Sequence, residues 1–273
     1  MRYDLVATDF DDTLYSMKGG GIDDFTLGVI GEYKRRGGKF VIVTGRMFSA
    51  IKPQAEKLGL SGLIISYQGA MISDISSGKT LKCFELDRDL CLEYLEFLKG
   101  FDLKAVQLYA DDRLTVEEDN EYVKNYRTYC GVDVDVVGDL ASFIKAHPEK
   151  TLNKVYVATY PEEATRLRIV AEKAFSGRLN VTSSKEYNVE VVNPLASKGN
   201  ALKYLMDGFG VEKAKVMCFG DQLNDVSLLT EAGMGVAVAN ANPELKKIAD
   251  YVSEACEDDG VAKTITKFCL EEN

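Results

Sequence analysis

Four clusters of polar side chains in this 273-residue chain have the residue types and spacing to do chemistry, three of them at the end of an apolar run. Asp9-Phe10-Asp11-Asp12-Thr13 closes the run Tyr3–Thr8. Residues two apart on an extended chain point the same way, so Asp9 and Asp11 can face one ligand while Asp12 faces elsewhere. Paired carboxylates suit Mg²⁺, or a nucleophile beside a proton shuttle; an Asp-rich turn is the plainer alternative. Thr44-Gly45-Arg46 closes Lys39–Val43. There a hydroxyl and backbone N–H groups could take phosphate, or Thr44 could simply cap a helix.

Ser197-Lys198-Gly199 puts a lysine at the start of a helical pattern, where the helix dipole disfavours positive charge. Neutralising a bound phosphate would account for it, as would a solvated lysine beside a serine cap. Gly220-Asp221-Gln222-Leu223-Asn224-Asp225 closes Lys215–Phe219. Asp221 reads as the cap of a helix from Gln222, with Asn224 and Asp225 on its face, able to complete a Mg²⁺ site or merely to favour the dipole. The joint inventory is that of a Mg²⁺–phosphate site. Neither G-x-x-x-x-G-K-[ST] nor G-x-G-x-x-G occurs in the sequence.

The elements that must carry these clusters are short strands, apolar on both sides, alternating with helices. That pattern predicts an α/β fold with a doubly wound parallel sheet, which binds ligands at the carboxyl ends of its strands. Helices are predicted near Asp24–Arg36, Phe48–Leu58, Lys198–Met206, Gln222–Glu231 and Pro243–Ile248. From Phe84 to Glu186 the pattern changes: helices at Asp87–Leu98, Asn120–Tyr129 and Glu162–Phe175, and strands at Leu103–Tyr109, Leu152–Thr159 and Leu179–Thr182, none closed by a comparable cluster. This reads as an inserted α+β domain over 84–186 within a core of 1–83 and 187–273, with Asn188–Asn193 returning the chain to the parent sheet.

Composition narrows the function. The formal net charge is −10, which argues against nucleic acid or an anionic membrane as partner. A single histidine, His147, leaves almost nothing for a chemistry built on His–His metal ligation or a Ser–His–Asp triad. Six cysteines without C-x-x-C spacing, and no signal-like or bilayer-length apolar run, predict reduced thiols and a cytoplasmic protein. Tyr122, Tyr126 and Tyr129, at helical spacing, read first as a packing face, with substrate stacking as the second option.

Taken together, Asp9-Phe10-Asp11-Asp12-Thr13, Thr44-Gly45-Arg46, Lys198 and Gly220-Asp221-Gln222-Leu223-Asn224-Asp225 resemble the four motifs of the haloacid dehalogenase superfamily, and the large insertion resembles its Cof-type branch. The resemblance implies a Mg²⁺-dependent phosphatase of a small phosphorylated metabolite. Asp9 would be the nucleophile that becomes an aspartyl-phosphate, and Asp11 the general acid and then base. Thr44, Gly45, Lys198 and Asn224 would hold the phosphoryl group. Mg²⁺ would lie on Asp9, the Asp11 carbonyl and Asp221, with Asp225 supporting from behind, and the insertion would be a lid that selects the leaving group. Crowding by carboxylates and phosphate is expected to raise the pKa of Asp11. One departure stands in the third strand's loop: Ser66-Tyr67-Gln68-Gly69-Ala70 carries Gln68 where the family commonly has an Asn-Gly pair, which would shift a substrate contact. A phosphomutase or phosphotransferase using the same intermediate, and a receiver-like phospho-acceptor, are the alternatives.

Overall fold

The structure is a computed structural model that describes residues 2–16 and 18–271. Among them run fourteen strands in two sheets. In chain order the strands are β1 Leu5–Asp9, β2 Lys39–Val43, β3 Leu63–Ser66, β4 Met71–Asp74, β5 Thr80–Cys83, β6 Ala105–Ala110, β7 Arg113–Val116, β8 Val134–Val136, β9 Leu152–Ala158, β10 Asn180–Thr182, β11 Asn188–Val192, β12 Val216–Gly220, β13 Met234–Ala237 and β14 Tyr251–Val252. The helices are α1 Asp24–Arg35, α2 Phe48–Lys57, α3 Arg88–Leu98, α4 Glu121–Cys130, α5 Leu140–Ala146, α6 Pro161–Ala174, α7 Lys198–Phe209, α8 Val226–Glu231, α9 Pro243–Ile248 and α10 Gly260–Ile265.

The first sheet has the order β14-β13-β12-β1-β2-β3-β4-β5. It is parallel from β14 to β3 and ends in the antiparallel pair β4–β5. β1, β2 and β12 are buried almost throughout, which explains their continuous apolar runs. From β1 the chain winds one way through β2 and β3, then returns to lay β12 on the other side of β1. The switch point therefore falls between β1 and β12, where such sheets open a ligand crevice.

Helix boundaries follow local chemistry. Asp23 caps α1 by accepting from the Thr26 amide at 2.8 Å, Ser197 caps α7 from Asn200 at 3.0 Å, and Pro243 opens α9 in its first turn. The predicted helix from Gln222 is divided: a 3₁₀ turn spans Leu223–Asp225 and α8 starts only at Val226. Its cap is Gln222, not Asp221. The Asp225 carboxylate turns back to accept the amides of Asp221 at 3.0 Å and Gln222 at 3.1 Å, which leaves the Asp221 carboxylate free for other work.

The second sheet has the order β10-β11-β9-β6-β7-β8 and is antiparallel except for β7–β8. Here the expectation that Asn188–Asn193 rejoins the parent sheet is corrected. Asn188–Val192 is β11, paired with β9 and β10, so the chain leaves the second sheet only after Val192. The cause is strand alternation. Val189 and Val191 bury against α3, α5 and α6 together with Val155 and Val157, while Tyr156 and Ala158 face the first sheet's core. That alternation also turns the polar residues Lys154, Asn188 and Glu190 toward the first sheet.

Candidate active site

Asp9 is the last residue of β1, and Asp221 follows the last residue of β12, so the switch point brings them together. Asp9, Asp221 and Asp225 are all buried, and one carboxylate oxygen from each lies within 4.8 Å of the others. Lys198, 1% exposed as the first residue of α7, inserts its ammonium between two of them: Nζ donates to Asp9 Oδ1 at 2.5 Å and to Asp225 Oδ1 at 2.5 Å. Asp225 thus divides its oxygens between Lys198 and two backbone amides. Asp221 accepts from Thr13 Oγ1 at 2.8 Å and from Gln222 Nε2 at 3.1 Å.

Three carboxylates and one ammonium leave excess negative charge in a buried space. Burial pushes the Asp9 carboxyl well up; Lys198 pulls against this, while Asp225, Asp221 and Asp11 add to it. Burial and the Asp225 charge lift Asp221 to about 6. Burial alone would weaken the Lys198 ammonium, but Asp225 and Asp9 hold it above its ordinary range, so it stays charged. An all-oxygen, electron-rich donor set of this kind fits a hard dication such as Mg²⁺.

Asp11 and Asp9 both border a cavity of about 230 Å³ that opens between the two sheets. Asp11 is forked by the Arg46 guanidinium, with Nε donating to Oδ2 at 2.8 Å and Nη2 to Oδ1. Gly45 and Asn224 line the same cavity, whereas Thr44, 1% exposed, lies behind and accepts the Arg46 amide on its Oγ1 at 3.1 Å. Thr44 does not cap the following helix, since α2 begins at Phe48. Asn224 donates from Nδ2 to Gln68 Oε1 at 3.0 Å, and its buried Oδ1 has no hydrogen-bond partner among the described residues.

The cavity's far wall comes from the second sheet and α4, and the sequence reading had singled out little of it. Tyr122 and Tyr126 line it and also pack on the core, so the predicted packing face and the cavity wall are the same surface; the side chain of Tyr129 lies outside the described residues. Tyr122 and Tyr156 share a hydroxyl–hydroxyl bond of 2.9 Å, and Tyr109 behind them donates to Tyr126 at 2.9 Å, so the rings of Tyr122, Tyr126 and Tyr156 line the cavity with their polar tips engaged. Lys154 and Glu190 form a buried ion pair at 2.7 Å, and Lys154 Nζ lies 4.7 Å from the centre of the Tyr109 ring. The single charged residue of each strand, Lys154 in Leu152–Ala158 and Glu190 in Asn188–Val192, was the available signal. Gln68, flagged as a departure, is 2% exposed and reaches Glu190 with Nε2 at 3.4 Å.

A buried acid–lysine cluster lies at the switch point of a doubly wound sheet, under a tyrosine-walled cavity, and the family and relatives that match this chain make it an enzyme, a hydrolase of the phosphomonoesterase class. The family model of the haloacid dehalogenase-like hydrolases matches residues 6–265, and the chain belongs to that family. It is 27% identical over 282 residues to the 5-amino-6-(5-phospho-D-ribitylamino)uracil phosphatase YcsE of Bacillus subtilis, covering 97% of this chain and 96% of that protein. It is 26% identical over 268 residues to the HMP-PP phosphatase of Serratia proteamaculans, covering 95% and 93%. The crystal structure of TM0651 from Thermotoga maritima superposes with a TM-score of 0.82 at 25% identity over 98% of both chains. No helix among the described residues is long and apolar enough to cross a membrane.

Proposed function

We propose that the protein is a Mg²⁺-dependent phosphatase of a small phosphorylated metabolite and works through an aspartyl-phosphate on Asp9. The observation that carries this reading is the Lys198 ammonium, buried at 2.5 Å from both Asp9 and Asp225 beside Asp221 at the end of the cavity. One Asp9 oxygen is bound to that cation, and Asp9 lines the cavity that an ester would enter. In the first step an Asp9 oxygen attacks phosphorus and the bond to the leaving oxygen breaks, with Asp11 giving that oxygen its proton. In the second, water attacks the same phosphorus, Asp11 takes the water's proton, and the bond to Asp9 breaks to release phosphate. Arg46 holds the Asp11 carboxylate at the cavity rim, and its fork must open for Asp11 to carry the proton.

The phosphoryl oxygens are assigned to Thr44, Gly45, Lys198 and Asn224. For Asn224 this requires its Nδ2 to turn from Gln68. Mg²⁺ is assigned to Asp9, the Asp11 carbonyl and Asp221, with Asp225 outside them; when bound it would supply positive charge against the phosphoryl oxygens. The second sheet with its helices, entered after Cys83 and left after Val192, is assigned as the lid that chooses the leaving group. A cavity of about 230 Å³ with tyrosine walls suits a small leaving group of about one ring, in keeping with the uracil that the name of the YcsE relative carries. A net charge of −10 supports a small-molecule substrate over nucleic acid or membrane, and six free cysteines support a cytoplasmic location.

The test is phosphate release from a panel of phosphorylated metabolites and a generic aryl phosphate, with Mg²⁺ and with chelator, beside Asp9→Asn. Mg²⁺-dependent release that falls at least about a thousandfold in the variant is the expected result. Equal release from both proteins would overturn the assignment of Asp9, and group transfer to an alcohol in place of free phosphate would make the enzyme a phosphotransferase.

A further inference from the structure

The loop between β2 and α2, residues 44–47, carries the proposed phosphate contacts, yet its two ends are tied to the other sheet. At one end Lys154 Nζ, from β9, donates to the Gly45 carbonyl at 2.9 Å. The amide of that same peptide group, on Arg46, is fixed by Thr44 Oγ1 at 3.1 Å. At the other end Asp112, in the turn between β6 and β7, accepts the Phe48 amide at 3.0 Å and the Ser49 amide at 2.8 Å. These are first-turn amides of α2, whose own N-cap residue, Met47, offers no side-chain bond.

Lys154 is itself held from several sides. Its side chain is 3% exposed, its charge is met by Glu190, and the Tyr109 ring lies directly across the strand register from it. Glu190 also accepts from Ser184 Oγ at 2.7 Å and from Gln68, whose Nε2 would lie 2.3 Å from a Cβ placed on Gly45. The Gly45 backbone is therefore confined on its carbonyl side by Lys154 and on its α-carbon side by Gln68.

We infer that Lys154 and Asp112 are positioning residues: the second sheet completes the phosphate-binding loop of the first, in addition to covering the leaving group. This rests on the phosphatase reading above and goes beyond it, because a lid that only selects the leaving group has no effect on bare phosphate. Affinity for inorganic phosphate, which has no leaving group, separates the two roles.

The experiment titrates inorganic phosphate in the presence of Mg²⁺ against wild type, Lys154→Met and the double variant Lys154→Met/Glu190→Gln, and records the Arg46 amide resonance. Removing Lys154 alone strands a buried carboxylate, whereas removing both charges of a buried pair is commonly tolerated, so the double variant keeps the fold. In both variants the dissociation constant for phosphate should rise roughly tenfold, the weight of one charged hydrogen bond. The Arg46 amide should shift in both, and kcat/KM should fall by a similar factor for a small aryl phosphate and for a larger monoester. Phosphate affinity within about twofold of wild type in the folded double variant would overturn the inference and leave Lys154 a leaving-group contact. A wild-type protein that neither binds nor releases phosphate would overturn the phosphatase reading, and the inference with it.

Discussion

Lys198 is the residue on which most of the site's electrostatics depend. As the first residue of α7 it opposes the helix dipole, a local cost that the sequence displays openly. The structure shows what offsets it: two carboxylates at 2.5 Å, both buried, with Asp9 189 residues away in the chain and Asp225 27. Lys198→Met would leave those carboxylates facing each other without a counter-charge. The loss in metal-free protein at neutral pH should be about 3–5 kcal/mol, read as a lowered denaturant midpoint. Added Mg²⁺ should recover part of it by replacing the missing cation. Activity should not recover, since the metal cannot also occupy the ammonium's place between Asp9 and Asp225. A variant as stable as wild type in chelator would show that Asp9 and Asp225 do not depend on this cation.

Among the elements, the tight connection from β3 to β4 packs directly against the start of α7, which carries Lys198. Tyr67 and Gln68 have φ values of +53° and +57°, and Gly69 of +102°. A Cβ on Gly69 would fall 2.1 Å from the Ser197 carbonyl oxygen and 2.9 Å from the Lys198 amide. Gly69→Ala should therefore cost about 1–3 kcal/mol and push the start of α7 away. Thermal denaturation should show the loss, and phosphate release should fall further than stability alone explains, because Lys198 moves with that turn. Legibility in the sequence follows the same division. β1, β2 and β12 could be read because each is a mainly apolar run closed by a polar cluster, so Asp9, Thr44 and Asp221 announced their own positions. The helix after Gln222 was misread because Asp225 reaches back for two amides, a choice that spacing does not reveal. β11 was assigned to the wrong sheet because an apolar strand carries no mark of its neighbour. Lys154 and Glu190 are the single charges of their strands but were not singled out, because their pairing 36 residues apart depends on the antiparallel register of β9 and β11.

For the whole molecule, the buried acid cluster should make stability depend on pH and metal together. Asp221 is held at about 6 in the folded protein against an ordinary 3.8, and Asp9 is shifted the same way, so between those values the folded state binds more protons than the unfolded one. Their contribution is complete below the ordinary value and is lost as pH rises through the folded one. Surface acids such as Asp135 and Asp139 are held low by their partners and act in the opposite sense, but below the ordinary carboxylate range, so the two windows are separate. In chelator, Asp221→Asn should gain thermal stability relative to wild type at pH 7.5, by a few degrees, and should lose that advantage near pH 4. Mg²⁺ binds the ionised carboxylates and competes with protons, so its stabilisation of wild type should be larger at pH 7.5 than at pH 5 and nearly absent in the variant. Differential scanning fluorimetry across that range, with and without Mg²⁺, measures both. An advantage of the variant that did not change with pH would mean that Asp221 ionises in the folded protein as it does in the unfolded chain. The negative charge gathered at the switch point would then already be balanced without a metal ion.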